Sequence, residues 1–223
     1  MRRPEVGAQS IDRLCRVQLT AMSAGLFAIV AVLAQRVRGT RLPMRVDRVG
    51  AGIVESIRAP RRLTVTFGHL EPAAFVQPLV AWGSLVVAVA LVLSLALVAW
   101  RRCDRWAALL SLVAPTLAVT LVDVLAKPLI GRHHGAALAF PSGHATAAAA
   151  AAMVVLVLLN RWYGWRRALS WLPAVALLPF AVGAGVVRLG WHYPTDAVGG
   201  VAFGSAVVIA VAAAIPAPAQ REL

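Results

Sequence analysis

The apolar residues of this chain fall in long unbroken runs. Six stand out: Leu19–Ala34, Ala73–Trp100, Trp106–Ala126, Ala145–Asn160, Trp171–Val187 and Ala197–Ile215. A membrane-spanning helix needs about 20 mostly apolar residues. The pattern therefore predicts an all-α fold, a polytopic membrane bundle of about six transmembrane helices forming one domain over residues 1–223. The second run is long enough to tilt or to project from the bilayer. The fourth and fifth are short, so their ends are expected at the interface or at a polar cavity. The first has the look of a signal peptide, but its leader is long and no clear A-x-A site follows, so it reads as a retained helix.

Composition sharpens this picture. Hydrophobic residues make up 60% of the chain and charged residues only 14%, yet the formal net charge is +13. Mean hydropathy is +0.77. A disordered polycation would lack the apolar mass. A soluble nucleic-acid binder would not carry such runs, and no nucleic-acid module is recognisable. The 2 cysteines, Cys15 and Cys103, cannot build a disulfide framework.

The positive charge orders the topology. Arg2, Arg3, Arg13 and Arg16 precede the first run, Arg101, Arg102 and Arg105 follow the second, Arg161, Arg166 and Arg167 follow the fourth, and Arg221 ends the chain. With six spans all of these share one side, expected to be cytoplasmic, with residues 1–18 and the C-terminus there and both cysteines reduced. The segment 36–72 is then a basic outer loop, with eight arginines between Arg36 and Arg62. Within it Val46, Val49, Ile53, Val54 and Ile57 recur at helical spacing. Two readings stand level: an interfacial helix whose arginines meet anionic headgroups, and a solvated basic loop. The run Ala145–Ala152, broken only by Thr146, reads as a close-packing face.

Ionisable residues at membrane depth are costly and mark function by default. They cluster in two outer segments, 127–144 and 188–196, together with Asp123. Four of the five histidines, His133, His134, His144 and His192, lie there. In Pro141-Ser142-Gly143-His144, Ser142 can cap a following helix and Gly143 lets backbone approach a ligand. The first-turn N–H groups then favour an anion, with His144 beside it to exchange a proton. In His192-Tyr193-Pro194-Thr195-Asp196, Pro194 suits a first helical position, and Asp196 can either hold the His192 ring or merely complement the helix dipole. Lys127, four residues after Asp123, can pair with it or point at a phosphate, and Pro128 predicts that the helix ends there. A metal centre is disfavoured: there is no H-E-x-x-H, no C-x-x-C, and few carboxylates.

Lys127, the tetrapeptide at 141–144 and His192-x3-Asp196, in that order, resemble the motifs of the type 2 phosphatidic acid phosphatase superfamily, which includes bacterial lipid phosphatases such as undecaprenyl-diphosphate phosphatases. The resemblance implies a cofactor-free reaction on a membrane lipid phosphate at the outer face of the plasma membrane. His192 would attack phosphorus and form a phosphohistidine, Asp196 would support it, and His144 would protonate the leaving oxygen. Lys127, Ser142 and Gly143 would hold phosphoryl oxygens. Polyprenyl diphosphate is the preferred substrate and phosphatidylglycerophosphate the next. A phosphotransferase using the same intermediate and a non-catalytic lipid-phosphate binder or transporter are the alternatives.

This chain departs from the family pattern at two arginines. Where Arg-Pro is expected after the lysine stand His134 and Gly135, with Arg132 nearest; where Ser-Arg is expected before the histidine stand Gly185 and Val186, with Arg188 nearest. Three readings follow. Arg132 and Arg188 reach the same phosphate by a local backbone change, His134 takes over one contact, or the phosphate site is weakened. Nucleophile, carboxylate and acid all remain, so activity is expected to be retained.

Overall fold

The computed structural model describes residues 5–56 and 84–215. Helix α1 (Glu5–Val37) leads through a short turn to α2 (Arg45–Ser56). Then come α3 (Ser84–Arg101) and α4 (Arg105–Leu121), the latter prolonged by a π-helical turn, Val122–Ala126, into α5 (Lys127–Ile130). A small antiparallel hairpin, β1 (His133–His134) with β2 (Ala137–Leu138), precedes α6 (Gly143–Tyr163), α7 (Trp165–Arg188) and α8 (Pro194–Ala214). Among the described residues, five stretches are long and apolar enough to cross a membrane: Arg16–Val37, Arg105–Ile130, Gly143–Tyr163, Trp165–Arg188 and Pro194–Ala214. Helix α3 is a shorter apolar one, and residues 73–83 of the run expected there lie outside the described residues.

Helix α8 is the hub. It packs against α1, α6, α4 and α7, which is why it is apolar on all sides. Ser23 of α1 donates a hydrogen bond to the Ala206 carbonyl at 2.9 Å, and Phe27 meets Phe203 edge-on. Against α6 the approach is closer still, because α8 presents Gly200 and Gly204 to the Ser142 and Thr146 backbone. A Cβ on Gly200 would lie 2.5 Å from the Ser142 carbonyl oxygen. The alanines of α6 from Ala148 to Ala152 are buried in this crossing and its neighbours, as the small-residue run predicts. Large apolar side chains such as Leu93, Leu97, Leu109, Leu177 and Phe180 point outward, a surface suited to lipid rather than water.

Two details differ from the sequence expectation. The helix does not stop at Pro128. The wide turn Val122–Ala126 just before it, in which Lys127 N–H reaches back to the Val122 carbonyl, lets the chain continue past a residue that cannot donate. The stop comes at Gly131, at φ 65°, a conformation that needs no Cβ. Second, α6 and α7 are joined by Gly164 alone, so Arg161, Arg166 and Arg167 belong to helix ends rather than to a loop, and α7 starts before the expected Trp171. Pro173 and Pro179 sit inside α7, as membrane helices tolerate.

Alternate turns gather at opposite ends. At one end, Asp104 caps α4 and receives Arg161 Nε at 2.6 Å and Trp162 Nε1 at 3.1 Å, while Trp106 Nε1 reaches the Ile215 carbonyl. At the other end meet the end of α1, the β-hairpin and the N-termini of α6 and α8. Gly39 N–H bonds the Ile130 carbonyl, His133 N–H the Thr40 carbonyl, and Ser142 N–H the Asp196 carbonyl. Both polar segments singled out from the sequence lie at this second end.

Candidate active site

The N-termini of α6 and α8 lie side by side. Ser142 is the N-cap of α6; its Oγ receives the Ala145 N–H, and its own N–H goes to the Asp196 carbonyl at 3.0 Å. That bond ties the tetrapeptide to the His192–Asp196 segment. Lys127 Nζ and Asp123 Oδ1 are paired at 2.6 Å, and a Cβ on Gly143 would lie 3.6 Å from that ammonium and 3.7 Å from that carboxylate. Lys127 thus pairs with Asp123, as its spacing allows, and its ammonium stands over the start of α6. His144, partly buried, lies with its ring centroid 5.8 Å from that of Trp191, next in sequence to His192.

His192 sits in the turn between α7 and α8 and is largely buried. Its Nδ1 lies 3.8 Å from Asp196 Oδ2, too long for a hydrogen bond, and that oxygen instead receives the Tyr193 N–H at 2.9 Å. Asp196 therefore completes the capping box of α8, whose N-cap is Tyr193, and is the carboxylate next to His192 at once. The helix of Arg188 ends at that residue, so Arg188 and His192 are not stacked on one continuous helix; Arg188 is exposed at the end of α7. His134 packs edge-on against Tyr193 with ring centroids 4.6 Å apart, and His133 Nδ1 meets the Gly131 carbonyl at 3.0 Å. The four histidines of the two polar segments thus surround the same end, and among the described residues no group of three or more His, Cys, Asp or Glu is placed to hold a metal ion.

Arg132 takes a place the sequence does not suggest. It is fully buried, beneath the histidines rather than among the groups open to a ligand. Nη1 donates to Asp196 Oδ1 at 2.6 Å and to Thr195 Oγ1 at 2.5 Å, and Nη2 donates to Asp47 Oδ2 at 2.8 Å. The guanidinium also lies 4.5 Å from the centre of the Tyr193 ring. Asp47, from α2, is as buried as Arg132. It accepts from Thr195 N–H at 3.0 Å, Thr195 Oγ1 at 2.7 Å and Met44 N–H at 2.9 Å. Burial alone would raise the Asp47 carboxyl, but the hydrogen bonds from Thr195, Met44 and Arg132 outweigh it and hold the group below its ordinary value.

Asp47 and Thr195 are the residues sequence reasoning misses. One signal existed: Asp47 is one of only two carboxylates, with Glu55, between Arg36 and Arg62, a stretch that holds eight arginines. That segment does contain a helix, α2, with Val46, Val49 and Ile53 exposed and Asp47 turned inward. Arg36, Arg38, Arg41, Arg45 and Arg48 are exposed around it; Ile57, Arg58, Arg61 and Arg62 lie outside the described residues.

Residues 123–218 match the PAP2 superfamily. No curated protein sequence matches the chain. Among solved structures, the first transmembrane PAP2-type phosphatidylglycerolphosphate phosphatase from Bacillus subtilis is similar at a TM-score of 0.65 and 20% identity, over 85% of this chain and 94% of that one. At that identity the likeness establishes a shared fold, and with the apolar helices it makes this a multi-pass membrane protein. The matched stretch, residues 123–218, contains Lys127, Ser142, His144, His192 and Asp196, and over that stretch the chain is similar to the PAP2 superfamily.

Proposed function

We propose that the protein is a metal-independent lipid phosphatase that cleaves a phosphomonoester or diphosphate of a membrane lipid through a phosphohistidine. The match of residues 123–218 to a phosphatase superfamily supports a phosphoric ester hydrolase, and the membrane helices support a lipid substrate. The observation that carries the finer reading is the meeting of Lys127, the Ser142–His144 helix start and the His192–Asp196 helix start at one end of the bundle. Phosphoryl oxygens sit against Lys127 and the first N–H groups of α6, with Ser142 holding that helix start in shape. Arg188 adds a further cation at the same end, and His134 a further hydrogen-bonding ring. His192 Nε2 forms the bond to phosphorus as the bond to the lipid oxygen breaks, and His144 gives that oxygen a proton. Asp196, shifted by a fraction of an ångström, accepts the Nδ1 proton of the ring as positive charge builds there. Water then releases inorganic phosphate and restores His192. In this reading nucleophile, acid and cations gather at adjoining helix ends, the kind of arrangement phosphoryl transfer requires.

The active site faces the outer side of the plasma membrane in this reading, with both termini cytoplasmic. Its support is that Arg101, Arg102, Arg105, Arg161, Arg166 and Arg167 lie at or beside the end opposite the histidines. The bilayer is the working environment and no nucleic acid is involved. Polyprenyl diphosphate is the preferred substrate, phosphatidylglycerophosphate the next. Purified protein given polyprenyl diphosphate, phosphatidylglycerophosphate and phosphatidic acid in mixed micelles should release phosphate in the presence of EDTA, and His192→Ala should abolish it. Full activity in His192→Ala, or loss with EDTA, refutes the mechanism; tight binding of all three without turnover marks the site as a relic.

A further inference from the structure

We propose that Asp47 is a positioning residue of this active site: through Arg132 it sets the place and the free charge of Asp196, and so makes α2 part of the catalytic apparatus. The inference rests on the phosphatase reading above for its assay, but its basis is a separate set of contacts.

Arg132 bridges two carboxylates that come from opposite ends of the sequence. Asp47 takes Nη2, and Asp196 with Thr195 takes Nη1. Both carboxylates and the guanidinium are essentially without solvent contact. Three buried charges of this kind sum to one net negative charge, and the remaining Asp196 oxygen, Oδ2, is the one beside His192. When His192 attacks phosphorus its ring becomes cationic. A net negative cluster behind it stabilises that charge. Without Asp47 the cluster is neutral: Arg132 is compensated by Asp196 alone, and Asp196 is drawn toward the guanidinium and away from His192. A buried guanidinium left with one carboxylate in place of two also loses its fixed position. Thr195 adds to the linkage, since its Oγ donates to Asp47 and accepts from Arg132 while the next residue is Asp196 itself.

The attachment of α2 is built for this. Gly50 faces Pro194, the first residue of α8, and a Cβ there would come within 2.9 Å of the proline Cβ. The proline ring cannot swing aside, so α2 lies against the start of α8 as closely as a glycine permits. The Met44 N–H fixes Asp47 Oδ2, the oxygen that also takes Arg132, at the start of the helix. Tyr193 joins the same corner, donating its hydroxyl to the Arg41 carbonyl while its ring covers Arg132. None of these groups touches the bound phosphate in the reading above.

The experiment is a kinetic comparison of the full-length wild type, Asp47→Asn, Asp47→Glu and Gly50→Ala, with rates normalised to folded protein from size-exclusion and thermal unfolding in detergent. Asp47→Asn should lower kcat by about 10- to 100-fold, the usual effect of removing a group that orients a reacting one, with KM within about threefold. Asp47→Glu keeps the charge on a longer arm and should fall between wild type and Asp47→Asn at the same KM. Gly50→Ala alters no charge and pushes α2 off Pro194, so it should reproduce part of the kcat loss. It also serves as the informative variant if Asp47→Asn does not fold. Wild-type kcat in Asp47→Asn, a loss confined to KM, or a loss that disappears on normalising to folded protein overturns the assignment while leaving the phosphatase intact. An inert wild type across the lipid panel overturns both readings together.

Discussion

Gly200→Ala is the sharpest test of how this site is held together. Helices α6 and α8 start with the two segments of the proposed site, and they cross where Gly200 faces the backbone of Ser142. An added methyl would lie 2.5 Å from the Ser142 carbonyl oxygen, 3.0 Å from Ala145 Cβ and 3.2 Å from Thr146 N. A carbon and a carbonyl oxygen in ordinary contact stand about 3.3 Å or more apart. The helices must therefore part by about 0.8 Å, and backbone offers no soft side chain to absorb it. Overpacking of this kind costs about 1–3 kcal/mol. The hydrogen bond from Thr146 Oγ1 to the Gly200 carbonyl, 3.2 Å long, stretches as well, adding about 1 kcal/mol. Alanine is the better helix former, so the proper reference is Gly25→Ala, where a Cβ meets nothing within 4 Å. Gly200→Ala should be less stable than Gly25→Ala by about 2–4 kcal/mol in equilibrium unfolding from mixed micelles followed by circular dichroism. Because the same separation moves His144 and Ser142 away from His192, phosphate release should drop by about 100-fold. Equal stability of the two alanine variants, or an unchanged rate in Gly200→Ala, refutes the close-crossing argument.

The opposite end offers a test without activity. Burial would raise the Asp104 carboxyl, but hydrogen bonds from Arg161, the Ala107 N–H and Trp162 prevail and hold it below its ordinary value. A depressed carboxyl contributes fully above its unfolded value and loses its contribution as pH falls through the folded one. Asp104→Asn keeps a capping oxygen but should cost about 1–3 kcal/mol at neutral pH, and the gap to wild type should close only in strong acid; a gap that widens on acidification contradicts the assignment. At the end of the proposed site, Lys127→Met removes the ammonium over Gly143, leaving Asp123 as an uncompensated negative charge where the phosphate is proposed to bind. Its kcat/KM should fall at least about 100-fold in a phosphate-release assay, and a variant within a few-fold of wild type removes Lys127 from the site.

Much of this could be read from the chain because two signals in it are local. Lipid demands unbroken apolar runs, and helix starts demand caps, so the spans and the N-termini at Ser142 and Pro194 are visible residue by residue. The His192–Asp196 spacing correctly brings the pair together, but the Tyr193 N–H occupies the facing oxygen, a competition that spacing cannot resolve. Pro128 misleads for a related reason: the π-helical turn before it is a cooperative adjustment of five residues, Val122–Ala126, with no residue type that announces it. Arg132 is the clearest limit. From the sequence it is a displaced phosphate ligand; in the fold it lies between two carboxylates, one of them 85 residues away. Contacts of that range leave no periodic trace, and an aspartate among arginines looks like a surface residue until its helix is seen to turn it inward.

The bridge through Arg132 also has a bearing on the order of assembly. Asp47 is synthesised early, its guanidinium partner comes 85 residues later, and Thr195, which binds its other oxygen, 148 residues later. Asp47 therefore cannot be buried where it finally lies until α8 has docked, since an isolated carboxylate does not enter an apolar interior. Helix α2 must wait in the polar interface while α3 to α7 enter the bilayer around it. The site closes in a single late step, when the final described helix brings Thr195 and Asp196 to the waiting pair. An incompletely inserted chain thus lacks the setting of His192 and Asp196, and the proposed site is completed only with that last step.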